Sequence, residues 1–407
     1  MAPSPLFMFG LPRTGTNLIS RVLNMHPEVM VAIHAFQPLF RSLRNAAVRE
    51  LADCDVQGIV DVDTPVHDGH FDLIQRRMLD DIHRATLDLP FLQTEWPDLH
   101  DRLVSRAEDD AADLCDGMSS LAGNGNYLAL VNSALALITE TRGATACKWV
   151  GMIDTWVIDL LPALARAYPT ARFIVVERDP RAIVNSMLGY LPIDPGQVGH
   201  TLSVLRHWRK EGALLGRFAA MSDIGDRLFL VRYEDLVADP AATTSQLCGF
   251  LSIEFRADMV DLDGAIDLPT GRKWKGNSTF DVSLDNISTA PTERWRDKLP
   301  RDAIAAVEFA AGIDMLARGY EPTEPLELLR GNPEALTFLV KDSQRSCSWR
   351  CDSGDPLREY GLETARRGFL EFNLAELDND AVRCSFLYPE YFNALKHAQT
   401  TAAVLEL

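Results

Sequence analysis

The chain has 407 residues, 47% hydrophobic and 24% charged, a composition that excludes a wholly disordered protein. Lys and Arg number 40 against 58 Asp and Glu, a net charge of -18, which excludes broad binding along nucleic-acid phosphates and leaves any bound anion to a local pocket. The seven cysteines are sparse and odd in number, against a disulfide framework; no basic n-region of a signal peptide opens the sequence and no apolar run approaches a membrane span, so a cytoplasmic protein is expected.

The length fits two or three units, or one large α/β domain with insertions. The apolar run at residues 6–9 ends at Gly10 and is followed by GLPRTGT and then LISRVLNM. Leu18, Val22 and Met25 share one helical face, and His26-Pro27 stops the helix because a residue before proline avoids the α region. The unit reads as strand, Gly-rich loop, helix, with His26 a structural residue at the helix end. VMVAI at residues 29–33 reads as a second strand.

Residues 41–127 hold no strong strand pattern and read as a helical insertion. Between Glu50 and Asp116 there are 18 acidic and 5 basic residues, so most of the protein's negative charge is concentrated there. After Lys148 an apolar helical stretch (156–167) leads to a β-branched strand at residues 173–176. Asp179 is a good N-cap for the next helix and Pro180 suits its first position. A further strand at residues 228–231 precedes RYEDL. The alternation predicts an α/β fold, a central parallel sheet flanked by helices. Residues 1–322 are expected to form this domain and residues 323–407 a C-terminal extension folded onto it, opened by the linker-like EPTEPLELL.

GLPRTGT keeps the glycine spacing of the nucleoside-triphosphate loop G-x-x-x-x-G-K-[ST]. The lysine that reaches the terminal phosphates is replaced by Thr16 and the metal-binding hydroxyl by Asn17, while Arg13 stands inside the loop. The backbone cradle remains, suited to a smaller anion with no magnesium. Taken alone, the loop also fits a strand-to-helix turn whose glycines serve geometry.

A second motif resolves that choice. VERDPRAIVNSM places Arg178 at a strand end and Ser186 eight residues on, two turns into the following helix. Pro12-Arg13-Thr14-Gly15-Thr16 together with Arg178 and Ser186 resembles the sulfotransferases that use 3′-phosphoadenosine 5′-phosphosulfate (PAPS) and release 3′-phosphoadenosine 5′-phosphate (PAP). The resemblance spans about residues 6–320, interrupted by the acidic insertion, and extends to the tyrosyl-protein branch through His26-Pro27-Glu28-Val29. It implies a P-loop-like sulfotransferase fold, with Arg13, Thr14, Gly15, Thr16 and Asn17 around the 5′ end of the donor and Arg178 with Ser186 on the 3′-phosphate. It implies a place for Tyr233 of RYEDL near the adenine or the 5′ side. The segment KWKGNSTFD resembles the family's late nucleotide loop, which brings in Lys273, Lys275, Gly276, Asn277 and Ser278, with Arg272 and, further on, Arg294. Which of Arg272, Lys273 and Lys275 touches the nucleotide stays open.

The reaction so implied is an in-line displacement at sulfur that needs charge stabilisation and a base. Arg13 is expected to stabilise the leaving 5′-phosphate. Lys148 is a second candidate, because some branches of the family place a lysine there against the sulfuryl group. His34 is the expected base: it stands 21 positions after Arg13, at the end of the second strand, where the tyrosyl-protein branch has a catalytic Glu. No metal is expected. VHDGHFD (His67, His70) is a weak metal signal, and Cys347 with Cys351 has no standard zinc spacing.

An insertion this acidic repels polyanionic glycans and tolerates a small neutral or cationic natural product as acceptor, with sulfation of a peptide or glycan the alternative. Neither a nucleic-acid nor a membrane partner is expected. A P-loop kinase is disfavoured by the missing lysine, and a non-catalytic nucleotide-binding scaffold by the intact Arg13, Arg178 and Ser186.

Overall fold

The computed structural model describes residues 2–51, 73–121, 125–190, 201–264, 266–269, 271–273, 287–324, 332–343, 356–371 and 385–405. In chain order the elements begin β1 (Ser4–Gly10), α1 (Thr16–Asn24), β2 (Val29–Ile33), α2 (Gln37–Leu51), α3 (Leu73–Arg84), α4 (Trp96–Asp110) and α5 (Tyr127–Thr141). They continue with β3 (Trp149–Thr155), α6 (Leu161–Ala167), β4 (Arg172–Glu177), α7 (Pro180–Tyr190), α8 (Thr201–Ala220), β5 (Leu228–Arg232), α9 (Tyr233–Ala238) and α10 (Pro240–Leu251). The pair β6 (Ile266–Asp267) and β7 (Arg272–Lys273) follows, then α11 (Ala290–Glu293), α12 (Trp295–Lys298), α13 (Arg301–Ala317), α14 (Pro333–Ser343), α15 (Pro356–Phe369) and α16 (Pro389–Leu405).

The contacts divide the chain into two units, Met1–Pro65 with Asp80–Arg178 and Ser222–Thr289, and Val66–Leu79 with Asp179–Met221 and Ala290–Leu407. The first unit holds a five-stranded, all-parallel sheet in the order β2-β3-β1-β4-β5. β1 is continuously apolar because a parallel strand is buried on both faces. Its Leu6 and Met8 point to one side, where Ile19, Val22 and Leu23 of α1 and Leu247 and Leu251 of α10 complete a core. Phe7 points to the other side, stacked 6.1 Å from Phe173 and tilted against Tyr168, beyond α6, at 5.5 Å. The protein is thus α/β, a parallel sheet flanked by helices. The described part of residues 41–127 contains only helical elements beside one isolated bridge, Pro90 to Asn126.

Sequence periodicity predicts a helix over 156–167 and misses β3 before it. Gly151 and Asp154 interrupt the apolar run there, yet both are buried in the strand. Gly151 is needed: a Cβ at this position would meet the Leu6 carbonyl oxygen at 1.7 Å. The helix proper begins only at Leu161, after a short 3-10 turn.

In the second unit, α13 packs against α8, α14, α15 and α16. Buried charges join these helices: Arg366 meets Asp314 at 3.0 Å and Glu363 at 2.9 Å, and Arg209 meets Glu363 at 3.2 Å. A buried pair of this kind does little for net stability when intact, but losing one partner costs about 3–5 kcal/mol.

Candidate functional site

In an open parallel sheet, ligands bind beyond the carboxyl ends of the strands. Three segments of the first unit converge on that edge. β1 runs into the loop 10–16, β2 into the turn that carries His34, and β3 into Trp156, with Gly10 paired to Thr155 and Ile33 to Ile153. Arg13, His34 and Trp156 have φ of 72°, 53° and 68°, three of the four left-handed non-glycine residues among the described ones. Such conformations cost about 1–3 kcal/mol each, persist only where the surrounding structure over-determines them, and cluster at functional sites.

The loop is built as an anion cradle. Gly15 caps α1 with φ 100° and has no side chain to occupy the helix's first N–H groups. A Cβ there would meet the Tyr233 ring at 2.4 Å. Thr14 is fully buried and its Oγ1 donates to the Leu11 carbonyl at 2.8 Å, tying the loop to itself. Thr16 is buried at the first position of α1, and Asn17 Oδ1 is buried without a hydrogen-bond partner. The arrangement fits a phosphate-bearing donor.

Arg178 follows β4 and is 7% exposed. Its Nη1 donates to the Arg13 carbonyl at 2.9 Å, and its guanidinium stacks 4.2 Å from the Tyr233 ring centre. The structure thus brings Arg13, Gly15, Arg178 and Tyr233 together, with Tyr233, the first residue of α9, wedged behind the loop. Sequence reasoning gives Tyr233 a place at the nucleotide; the contacts of its ring are with Gly15 of the loop and with Arg178.

His34 is buried, and its Nε2 lies 3.4 Å from Thr16 Oγ1, so the ring faces the cradle. Burial, and then the Arg106 guanidinium, lower its pKa to about 3, so the ring is neutral at pH 7. Nδ1 has no hydrogen-bond partner.

Asp154, unremarked in the sequence, lies on β3 next to this turn. It is 1% exposed, and neither carboxylate oxygen closes a hydrogen bond. Burial holds its carboxyl well above the usual range, offset only in part by Arg106, the Phe36 and Gln37 N–H groups and Arg41. An unpaired buried acid is visible only once the strand is folded. Beside it a cavity of about 430 Å³ is lined by Gln37, Arg41, Arg102 and Arg106 with Asp98, Asp101 and Asp109.

Lys148 does not join this group. It precedes the first residue of β3, at the strands' amino ends, and its Nζ donates to the Ser252 carbonyl at 2.6 Å. Along a seven-residue strand that end lies ~20 Å from the loop. The correction follows from the missed strand, which inserts a full sheet crossing between Lys148 and the site.

Ser186 is buried on α7 and Arg294 stands at the start of α12, both in the second unit, where these helices pack together and Arg181 stacks 4.0 Å from Trp295. Lys273 lies on β7, antiparallel to β6 of the first unit. Lys275, Gly276, Asn277 and Ser278 lie outside the described residues, as do His67, His70, Cys347 and Cys351. Among the described residues no group of three His, Cys, Asp or Glu side chains is arranged to hold a metal, and no helix is long and apolar enough to cross a membrane. His26 is structural: Nε2 meets the Glu254 carbonyl at 3.0 Å and Nδ1 accepts from the Glu28 N–H.

Protein-tyrosine sulfotransferase 1 of Danio rerio is 27% identical over 196 residues, covering 47% of this chain and 53% of its own length. A putative protein-tyrosine sulfotransferase of Caenorhabditis elegans is 30% identical over 165 residues, 39% of this chain and 60% of its own. The chain therefore spans only a little over half the length of these curated relatives. Among solved structures, the sulfotransferase domain of the Synechococcus PCC 7002 olefin synthase aligns at TM-score 0.40 and 17% identity, over 74% of this chain and 90% of its own. Sulfotransferase STF9 of Mycobacterium avium aligns at TM-score 0.34 and 16% identity, over 64% and 66%. Residues 5–257, more than half the chain and all five strands of the parallel sheet, match the profile of the sulfotransferase family, and the protein belongs to that family.

Proposed function

We propose that the protein moves the sulfuryl group of PAPS to a hydroxyl or nitrogen of a small neutral or cationic acceptor, releasing PAP. The observation that carries this reading is the joint cradle: a glycine-capped helix N-terminus, the Arg178 hydrogen bond to Arg13 and the His34 ring against Thr16.

The donor brings an activated sulfur–oxygen bond and several negative charges. The N–H groups opening α1 and the Arg13 side chain take the 5′ end, where charge grows as that bond breaks. Arg178 takes the 3′-phosphate, with Tyr233 at the nucleotide; Ser186, Lys273 and Arg294 are the further donor contacts that the family resemblance implies. His34 Nε2 takes the acceptor proton as the new bond to sulfur forms, and the electron pair leaves on the 5′-phosphate. Its low pKa belongs to the ring without an anion beside it; a bound donor raises it toward the range useful for a base.

Support for a small acceptor comes from the cavity next to Arg106, whose lining balances three Arg with three Asp. The tyrosyl-protein relatives favour a second reading, a tyrosine peptide. One screen tests both. The protein and PAPS are incubated with phenolic amines, neutral phenols, tyrosine peptides and a heparan-like glycan, and products are read by mass for one added sulfuryl group. Sulfation of the phenolic amines or phenols is expected; turnover of the glycan alone would overturn the small-acceptor reading, and turnover of peptides alone would establish the second.

A further inference from the structure

We infer that Asp154 is a positioning residue: with its strand neighbours Ile153 and Thr155 it holds the turn that carries His34, and so fixes where that ring stands beside Thr16. The inference rests on the reading of His34 as the base and adds the residue that sets its geometry.

Three consecutive residues at the end of β3 address the turn. The His34 N–H donates to the Ile153 carbonyl at 2.8 Å. Gln37 Nε2 donates to the Thr155 carbonyl at 2.9 Å and to its Oγ1 at 3.0 Å. Between them, Asp154 faces the backbone N–H groups of Phe36 and Gln37 at the start of α2. Both of its oxygens are buried, and neither reaches full hydrogen-bond geometry with these N–H groups. A position that only had to fill space would be better served by an apolar side chain, because an unsatisfied buried carboxyl costs stability. The acid is explained if those N–H groups are its partners and the turn is drawn onto β3 when they meet. Such a hold fits the left-handed φ of 53° at His34, a conformation uncommon for any residue but glycine.

The charged and titratable groups facing this pair come from three elements. Arg106 of α4 acts on both His34 and Asp154, Arg41 of α2 acts on Asp154, and His34 itself follows β2. An Asp154 carboxyl that closes on the turn keeps the His34 ring buried, and burial keeps the ring neutral. Removing it frees the turn, exposes the ring and returns its titration toward the ordinary histidine range.

The test uses the full chain with ¹³C-labelled histidine rings, the His34 signal being assigned by its loss in His34→Gln. Asp154→Leu removes both oxygens, and Asp154→Asn keeps one that can still face the two N–H groups. In the wild type the His34 ring should stay neutral down to about pH 3. In Asp154→Leu its protonation should become at least about tenfold easier, one pH unit or more upward, with Asp154→Asn in between. The PAP-induced rise in melting temperature should persist in both variants. A merely structural role would move stability and leave the ring unchanged. The inference fails if Asp154→Asn, and Asp154→Leu where it folds, leave the His34 signal and its titration superimposed on those of the wild type. Absence of any PAP-induced shift in the wild type would instead sink the donor reading, so the two fail separately.

Discussion

At Gly15 two separate demands fall on one atom that is missing. The left-handed φ of 100° penalises any Cβ, and the space a Cβ needs is filled by the Tyr233 ring. Gly15→Ala should therefore lose about 1–3 kcal/mol of stability and weaken PAP binding at least about tenfold. The measurement is the PAP-dependent rise in melting temperature; an unaltered rise would remove the loop from the nucleotide site. The paired glycines and Arg13 are legible in the sequence because their spacing is a local property. The ring that presses on Gly15 is not, since Tyr233 comes more than two hundred residues later. His34 offers a second measurement. Its folded pKa of about 3 lies below the ordinary histidine value of 6.5. Between those values the unfolded chain takes up a proton that the folded one refuses, so stability falls as pH drops through that window. From pH 6.5 to 4.5 this should cost about 2–3 kcal/mol. Asp154 works in the opposite sense, its raised pKa favouring the folded state toward acid. Comparing urea midpoints of wild type and His34→Gln at the two pH values isolates the histidine: the variant should lose less on acidification, and equal losses would show the ring already titrating normally.

At the scale of elements, the close approach of β1 and β3 sets the site. Arg13 and His34 follow two strands held apart only by β3, so the spacing of that strand sets the distance between loop and ring. Gly151 permits it. Gly151→Ala would drive a methyl into the Leu6 carbonyl, which is backbone and cannot yield without parting the strands. A loss on the order of 3 kcal/mol or more is expected, together with weakened PAP binding, read by denaturant unfolding and thermal shift. Unchanged stability would mean that the sheet has slack at this point. The same glycine explains what the sequence conceals. The centres of β1, β2, β4 and β5 are unbroken apolar runs and read directly from the residues; β3 carries a glycine for packing and an acid at its end, and its period is lost. That one omission also misplaces Lys148, for without β3 nothing separates it from the loop.

Over the whole molecule, the proposed function requires a chain of net charge -18 to attract a polyanionic donor. Many of its cations are already committed. Arg209 and Arg366 are buried against Glu363 and Asp314, and Arg181 is held by Asp179 and Glu308. Long-range potential and local contact therefore act in opposite directions. At low salt the Debye length of about 30 Å lets the global negative field reach an approaching anion; near physiological salt it shrinks to about 8 Å and only the cradle is felt. The association rate of PAP should accordingly rise by a few-fold as salt increases from about 10 to 150 mM. Its dissociation rate should rise too, because the charge-assisted contacts of Arg13 and Arg178 weaken under screening. Stopped-flow binding separates the two. A protein that captures its donor by a broad basic surface shows the reverse, an association rate that falls with salt. That result here would mean that long-range attraction, and not the short-range cradle around Gly15, selects the ligand.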